Sequence, residues 1–193
     1  MNEEEKKSIH KEIKNLYDEI YEKRKKAIEL TAKLGAADVS QDYEFTSIDG
    51  RKVKLSEMFG SNKYLFVVYN MGRGCAFCTM WADSFSGIYK YLDSRGKSEF
   101  ALITGDDIEA HREFKKSKGW TFRSYSANEN DFAKEMRHQN EKGDVDPGVD
   151  VFEKTGDGKI RRINQDSFSP TDMYCSVWRL LELLPNEDIK KDF

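Results

Sequence analysis

The sequence predicts an α/β protein with a central mixed sheet flanked by helices, preceded by an N-terminal β-hairpin and a long N-terminal helix. Three observations carry this expectation. Two continuous apolar, β-branched runs, Tyr64–Tyr69 (YLFVVY) and Phe100–Thr104 (FALIT), read as strands covered on both faces. Each is followed by a stretch of helical character, and strands that alternate with helices imply parallel neighbours. A later pair of extended runs, Val149–Lys154 and Lys159–Ile163, brackets Thr155-Gly156-Asp157-Gly158 and reads as an antiparallel hairpin.

Residues 3 to 34 read as one helix without internal Gly or Pro. Ile9, Ile13, Leu16, Ile20, Ala27, Leu30 and Leu34 recur at spacings of three, four or seven, and Lys23 alone interrupts the seam. Such heptads suit an arm that packs on its own domain or on a second copy in a homodimer. Gly35 is placed to cap it. Tyr43–Ser47 and Arg51–Leu55 flank Ile48-Asp49-Gly50, a hairpin signal, and residues 56–60 make one helical turn. Helix follows the YLFVVY strand to about Leu92. Asp107–Lys118 is a helix stopped at Gly119, Trp120–Tyr125 is extended, Asn130–Gln139 is helical, and Thr171–Leu184 is a final helix stopped by Pro185. The expected division is an arm over 1–38, one domain over 39–185, and a charged tail over 186–193. This element order is that of a thioredoxin-like fold.

At 193 residues the chain is long enough to bury a real core. Its formal net charge of −3 argues against a nucleic-acid or anionic-membrane surface. No apolar run approaches the ~20 residues of a membrane span, and the charged start lacks the apolar middle of a signal peptide. These features place the protein in a reducing cytoplasm. There, three cysteines do not suggest a structural disulfide framework, and a close pair points to metal or redox chemistry.

That pair is Cys75-Ala76-Phe77-Cys78, at the junction of the YLFVVY strand and the next helix. A helix N-terminus carries partial positive charge and unpaired N–H groups, which favour a thiolate at Cys75. Arg73, two residues upstream, adds to that field. Cys78, one turn on and more shielded, is placed to resolve a mixed disulfide at Cys75. Trp81 lies one further turn along, where it covers the buried sulfur or simply fills the core. Pro147, directly before a strand, is positioned to face the dithiol as a cis-proline or to make a plain trans Pro-Gly turn. Asp83 is weighed as a group affecting proton transfer and as a surface carboxylate. Zinc would need two more ligands, and Cys175, His10, His111 and His138 show no ligand spacing. Covalent haem would need His at 79, which is Thr. No metal and no cofactor are therefore expected. His111 and His138 read as solvent-facing, and Cys175 as a small buried hydrophobe.

The ordered set Asp42-Tyr43-Glu44-Phe45, Asp49-Gly50, Leu55…Met58-Phe59, Cys75-Ala76-Phe77-Cys78, Trp81-Ala82-Asp83, Phe85…Gly87, Gly119-Trp120-Thr121-Phe122 and Pro147-Gly148-Val149 resembles the thioredoxin-like family known as domain of unknown function 899. The resemblance runs to Pro185. It implies a thioredoxin fold and a dithiol role for Cys75 and Cys78, with no settled substrate. The family commonly has Pro where Ala76 stands, and a His-Thr-Tyr-like segment where this chain has Arg161-Arg162-Ile163-Asn164.

The expected function is a thiol–disulfide oxidoreductase acting on a protein or small-molecule disulfide with an external electron donor. One alternative is a peroxiredoxin-like peroxide reductase. That chemistry favours Thr or Ser three residues before the reactive cysteine, where this chain has Gly72. The other is a non-catalytic module assembled through the N-terminal helix.

Overall fold

The computed structural model describes residues 1–185. The charged tail expected over 186–193 lies outside the described residues. Helix α1 (Glu3–Gly35) starts at a reciprocal cap: Asn2 Oδ1 accepts the Glu5 N–H, and Glu5 Oε2 accepts the Asn2 N–H. Gly35 does not act as a left-handed cap. It is buried within the last turn, and a Cβ there would meet the Gln165 backbone nitrogen at 2.8 Å. The glycine serves close approach, and the helix ends instead at Ala36, whose backbone is extended.

Eight strands form one sheet in the order β1-β8-β7-β4-β5-β6-β2-β3. They are β1 (Ala37–Asp38), β2 (Glu44–Ser47), β3 (Lys52–Lys54), β4 (Tyr64–Asn70), β5 (Ser98–Thr104), β6 (Arg123–Ser126), β7 (Gly148–Lys154) and β8 (Ile160–Ser167). The β4–β5 and β5–β6 pairs are parallel, and every other neighbouring pair is antiparallel. The expected parallel centre, the first hairpin (β2–β3) and the late one (β7–β8) are all present. The two-residue β1, unanticipated, ties the end of α1 to β8.

Alternation along β4 divides the interior in two. Leu65, Val67 and Tyr69 enter one core with Phe45, Met58, Phe132 and Phe152. Phe66 and Val68 face the other, formed with Cys78, Trp81 and Phe85 of α3 (Ala76–Ile88), Phe114 of α5 (Ile108–Lys118), and Trp178 of α7 (Ser176–Leu181). Both crossover helices therefore cover the same face. Each half is rich in aromatic edge contacts, such as Phe45–Phe132 and Phe100–Phe122 at 5.1 and 5.5 Å.

Three helices are shorter than local pattern suggests. The helix after the cysteines breaks at Tyr89, where a tighter Leu92-to-Tyr89 bond starts α4 (Lys90–Gly96). Within 130–139 only α6 (Phe132–Glu135) is helical. Arg137 turns left-handed at φ 65°, which swings His138 inward. Within 171–184 only α7 is helical, because Asp172 Oδ1 gathers the Tyr174 and Cys175 N–H groups into a turn first. The short α2 (Leu55–Met58) and α5 stand where expected, and Asp107, read as the first residue of α5, is its N-cap. Two expectations about exposure fail. His111 and His138 are both buried, at 2% and 3% exposure. Arg137 beside His138 is exposed and Arg112 beside His111 reaches the Ile48 carbonyl, while each imidazole takes the inner side.

Candidate active site

The C-terminal end of β4 carries the cysteines. Asn70, the last strand residue, is buried, and it fixes both ends of the loop that follows. Its Oδ1 accepts the Gly72 N–H at 2.8 Å, and its Nδ2 donates to the Cys78 carbonyl at 3.2 Å. Asp106, just past β5, holds the middle by accepting the Arg73 N–H at 2.8 Å. Gly72 lies between these anchors with φ 106°, and a Cβ there would run into the Asp106 carboxylate, 2.7 Å from its Cγ. The loop then turns through a Cys75 N–H to Gly72 carbonyl bond of 3.1 Å and enters α3.

Cys75 is the N-cap of α3. Its Sγ accepts the Cys78 N–H at 3.1 Å, so the sulfur takes one of the helix's unpaired donors as Ser or Asp does at other helix starts. Cys75 is partly exposed, whereas Cys78 is 2% exposed. Burial, then the neighbouring Cys75 sulfur, pushes the Cys78 thiol strongly up, against a small opposing effect of the Met71 backbone. The result is one accessible sulfur on a positive helix end and one protonated sulfur shielded one turn inside. All three cysteines are free thiols.

The other expected site residues distribute unevenly. Trp81 is buried in the Cys78 cluster, its ring 6.2 Å from Phe77 and 5.2 Å from Phe168. Pro147 directly precedes Gly148, which pairs with Tyr69, so it lies at the strand end from which the cysteine loop departs. Its carbonyl accepts the Phe168 N–H at 2.9 Å, and every peptide bond among the described residues is trans. Arg73 is exposed and is tied down by its backbone N–H. Asp83 accepts the Trp120 indole N–H at 2.6 Å, a packing role on the flank of α3.

Sequence reading missed Asn70 and Asp106, which set the loop. The available signal was a lone polar residue closing an otherwise apolar strand. It also missed a buried polar cluster on the opposite face. His138 Nε2 lies 2.7 Å from Asp150 Oδ2, and Arg162 donates to Asp150 Oδ1 at 3.2 Å and to the Met136 and Gly35 carbonyls. Tyr69 stacks on the His138 ring at 4.9 Å. Arg162 thus anchors the end of α1 to the sheet. Among the described residues no group of three or more His, Cys, Asp or Glu is disposed to hold a metal ion, and no helix is long and apolar enough to cross a membrane.

Comparison with known proteins shows the family and the fold. The family model described as bacterial protein of unknown function (DUF899) matches residues 4–188. The chain belongs to this family. No curated protein matches the sequence. Among solved structures, the chain is similar to PrxQ of Xylella fastidiosa at TM-score 0.60 and 12% identity, over 77% of this chain and 94% of that one. It is similar to the peroxidoxin BcpB of Mycobacterium tuberculosis at 0.58 and 18%, over 70% and 87%. The mitochondrial 2-Cys peroxiredoxin of Plasmodium falciparum matches at 0.55 and 17%, over 76% and 93%. At these identities the likeness shows the fold, which is thioredoxin-like.

Proposed function

We propose that this DUF899 protein is a thiol–disulfide oxidoreductase in which Cys75 attacks and Cys78 resolves. The observation that carries the reading is the Cys75 sulfur at the N-cap of α3, accepting the Cys78 N–H at 3.1 Å beside a buried second thiol. In the first step the Cys75 thiolate attacks one sulfur of a substrate disulfide and the other sulfur leaves as a thiolate. Cys75 no longer carries charge in the mixed disulfide, so part of what holds the Cys78 proton is removed. Cys78 then loses that proton to solvent or to the departed thiolate and attacks Cys75. The substrate's second thiolate leaves, and Cys75–Cys78 is oxidised by two electrons. An external dithiol or thiol donor returns the pair to its reduced form, and the cycle suits a reducing cytoplasm. Arg73 would favour anionic thiolates at the mouth, and Trp81 and Pro147 would shape the walls around Cys78.

A second reading is peroxide reduction, favoured by the peroxiredoxin identity of the similar structures. There the Cys75 thiolate would attack a peroxide oxygen, releasing the alcohol or water and leaving a sulfenic acid. Cys78 would condense with it to a disulfide and water. The position three before Cys75 counts against this reading, since Asp106 and the positive φ leave Gly72 no room for a hydroxyl side chain.

The deciding measurement is the redox equilibrium of the full chain against a glutathione series, read by alkylation and mass spectrometry. A reversible two-electron couple between Cys75 and Cys78, lost in Cys78→Ser, is the expected result. Unreactive thiols in every buffer would end both readings. Oxidation by stoichiometric peroxide far faster than by disulfides would favour the second.

A further inference from the structure

Helix α1 poses a problem of stability. Residues 1–30 are exposed without exception, and of its 33 residues only Gly35 is buried. Most helical stability in proteins comes from packing an apolar face, and this helix buries none over its first 30 residues. Yet Ile9, Ile13, Leu16 and Ile20, spaced four, three and four, form one narrow stripe and stand 44–55% exposed. The body touches the neighbouring flank, through the Arg179 bond to the Tyr17 hydroxyl at 2.6 Å and Arg24 beside Met173. Ile13, Leu16 and Ile20 of the stripe line a groove whose far wall is Met173, Trp178 and Arg179.

We propose that this stripe is covered by α1 of a second copy, running antiparallel about a twofold axis between residues 14 and 15. Two features of the sequence fit that arrangement. In antiparallel coiled coils the two kinds of core position alternate across the seam, and here Ile9 meets Ile20 and Ile13 meets Leu16 of the second copy, in both directions. The two ends of the stripe-bearing segment are opposite in charge. Glu3, Glu4 and Glu5 open it, and Lys23, Arg24, Lys25 and Lys26 follow the last stripe residue. Antiparallel overlap sets Glu3 against Arg24 and Glu5 against Lys26 of the second copy, twice each by symmetry. A parallel pair would set each acidic end against its own copy. Two like-charged approaches remain, Glu12 with Glu19 and Lys6 with Lys23. They lie at the edge and the ends of the stripe, where long side chains reach solvent. The second copy's first turns then lie in the groove beside α7.

The test is sedimentation equilibrium of the full chain at low and high salt. The wild type is expected to be a dimer, weaker at high salt, and Leu16→Glu a monomer with an unchanged near-ultraviolet spectrum from the body. Glu3→Lys with Glu5→Lys is expected to raise the dissociation constant about tenfold, and adding Arg24→Glu with Lys26→Glu in the same chain to restore it. Glu12→Lys is expected to tighten the dimer, a gain that misfolding cannot imitate. A monomeric wild type overturns the proposal. So does a dimer that Leu16→Glu leaves intact, or one in which the four-residue swap fails to restore affinity and Glu12→Lys gains none, as a parallel pair would behave.

Discussion

Cys75 and Cys175 occupy the same formal position, the N-cap of a helix, with similar extended backbones at φ −97° and −120°. Their surroundings differ in every respect that bears on reactivity. Cys75 accepts a helix N–H, is partly exposed, and sits on a loop fixed by Asn70, Asp106 and Gly72. Cys175 makes no cap bond, is 2% exposed, and lies 3.0 Å from the Ser84 hydroxyl against the side of α3. Its helix has six residues, with little dipole to lend. A helix start by itself does not make a reactive thiol; access and an aligned donor are needed as well.

The largest effect that would break this contrast is loss of function. Cys75→Ser is expected to remove disulfide exchange altogether in an insulin or small-disulfide reduction assay, and Cys175→Ser to leave the rate within about twofold. Equal loss in both variants would make Cys175 a working thiol. Alkylation sharpens the contrast without mutation. Under native conditions Cys75 should react with iodoacetamide at least about 100-fold faster than Cys175, with peptide mass spectrometry assigning the sites.

The loop can be tested apart from the sulfur. Gly72→Ala forces a Cβ toward the Asp106 carboxylate at a φ that alanine resists, and it should slow exchange about tenfold or more by displacing Cys75. Cys175 alkylation in the unfolded protein serves as the unchanged reference. A variant with wild-type exchange would show that the Asp106 anchor is dispensable.

The smallest effect is on pH. Burial holds the His111 imidazole down to about 4, with the Asp106 charge opposing that shift and Lys115 aiding it. The unfolded chain binds a proton near 6.5 that the folded state refuses, so this stability is complete above pH 6.5 and is lost as pH falls toward 4. The full window corresponds to on the order of 3 kcal/mol. His111→Leu should flatten the urea midpoint between pH 6.5 and 4 relative to the wild type. An identical pH slope would show that His111 is not excluded from protonation.

Much of this was legible in the chain itself. YLFVVY and FALIT had to be inner strands, since so continuous an apolar run needs cover on both faces, and two Gly-containing turns marked the hairpins. The cysteines' place at a strand-to-helix junction followed from their distance to YLFVVY alone. Three-dimensional packing decided the rest. Whether His111 and His138 face water depends on Trp120, which folds back on α5 from the loop after it, and on Asp150 and Tyr69, which lie on strands of the sheet. That Asn70 and Asp106 hold the cysteine loop depends on β4 and β5 ending side by side, Asn70 opposite Thr104. α6 ends early near Arg137 and α7 starts late after Asp172 because a turn hydrogen bond there outcompetes one more helical bond, and local periodicity carries no record of such partners.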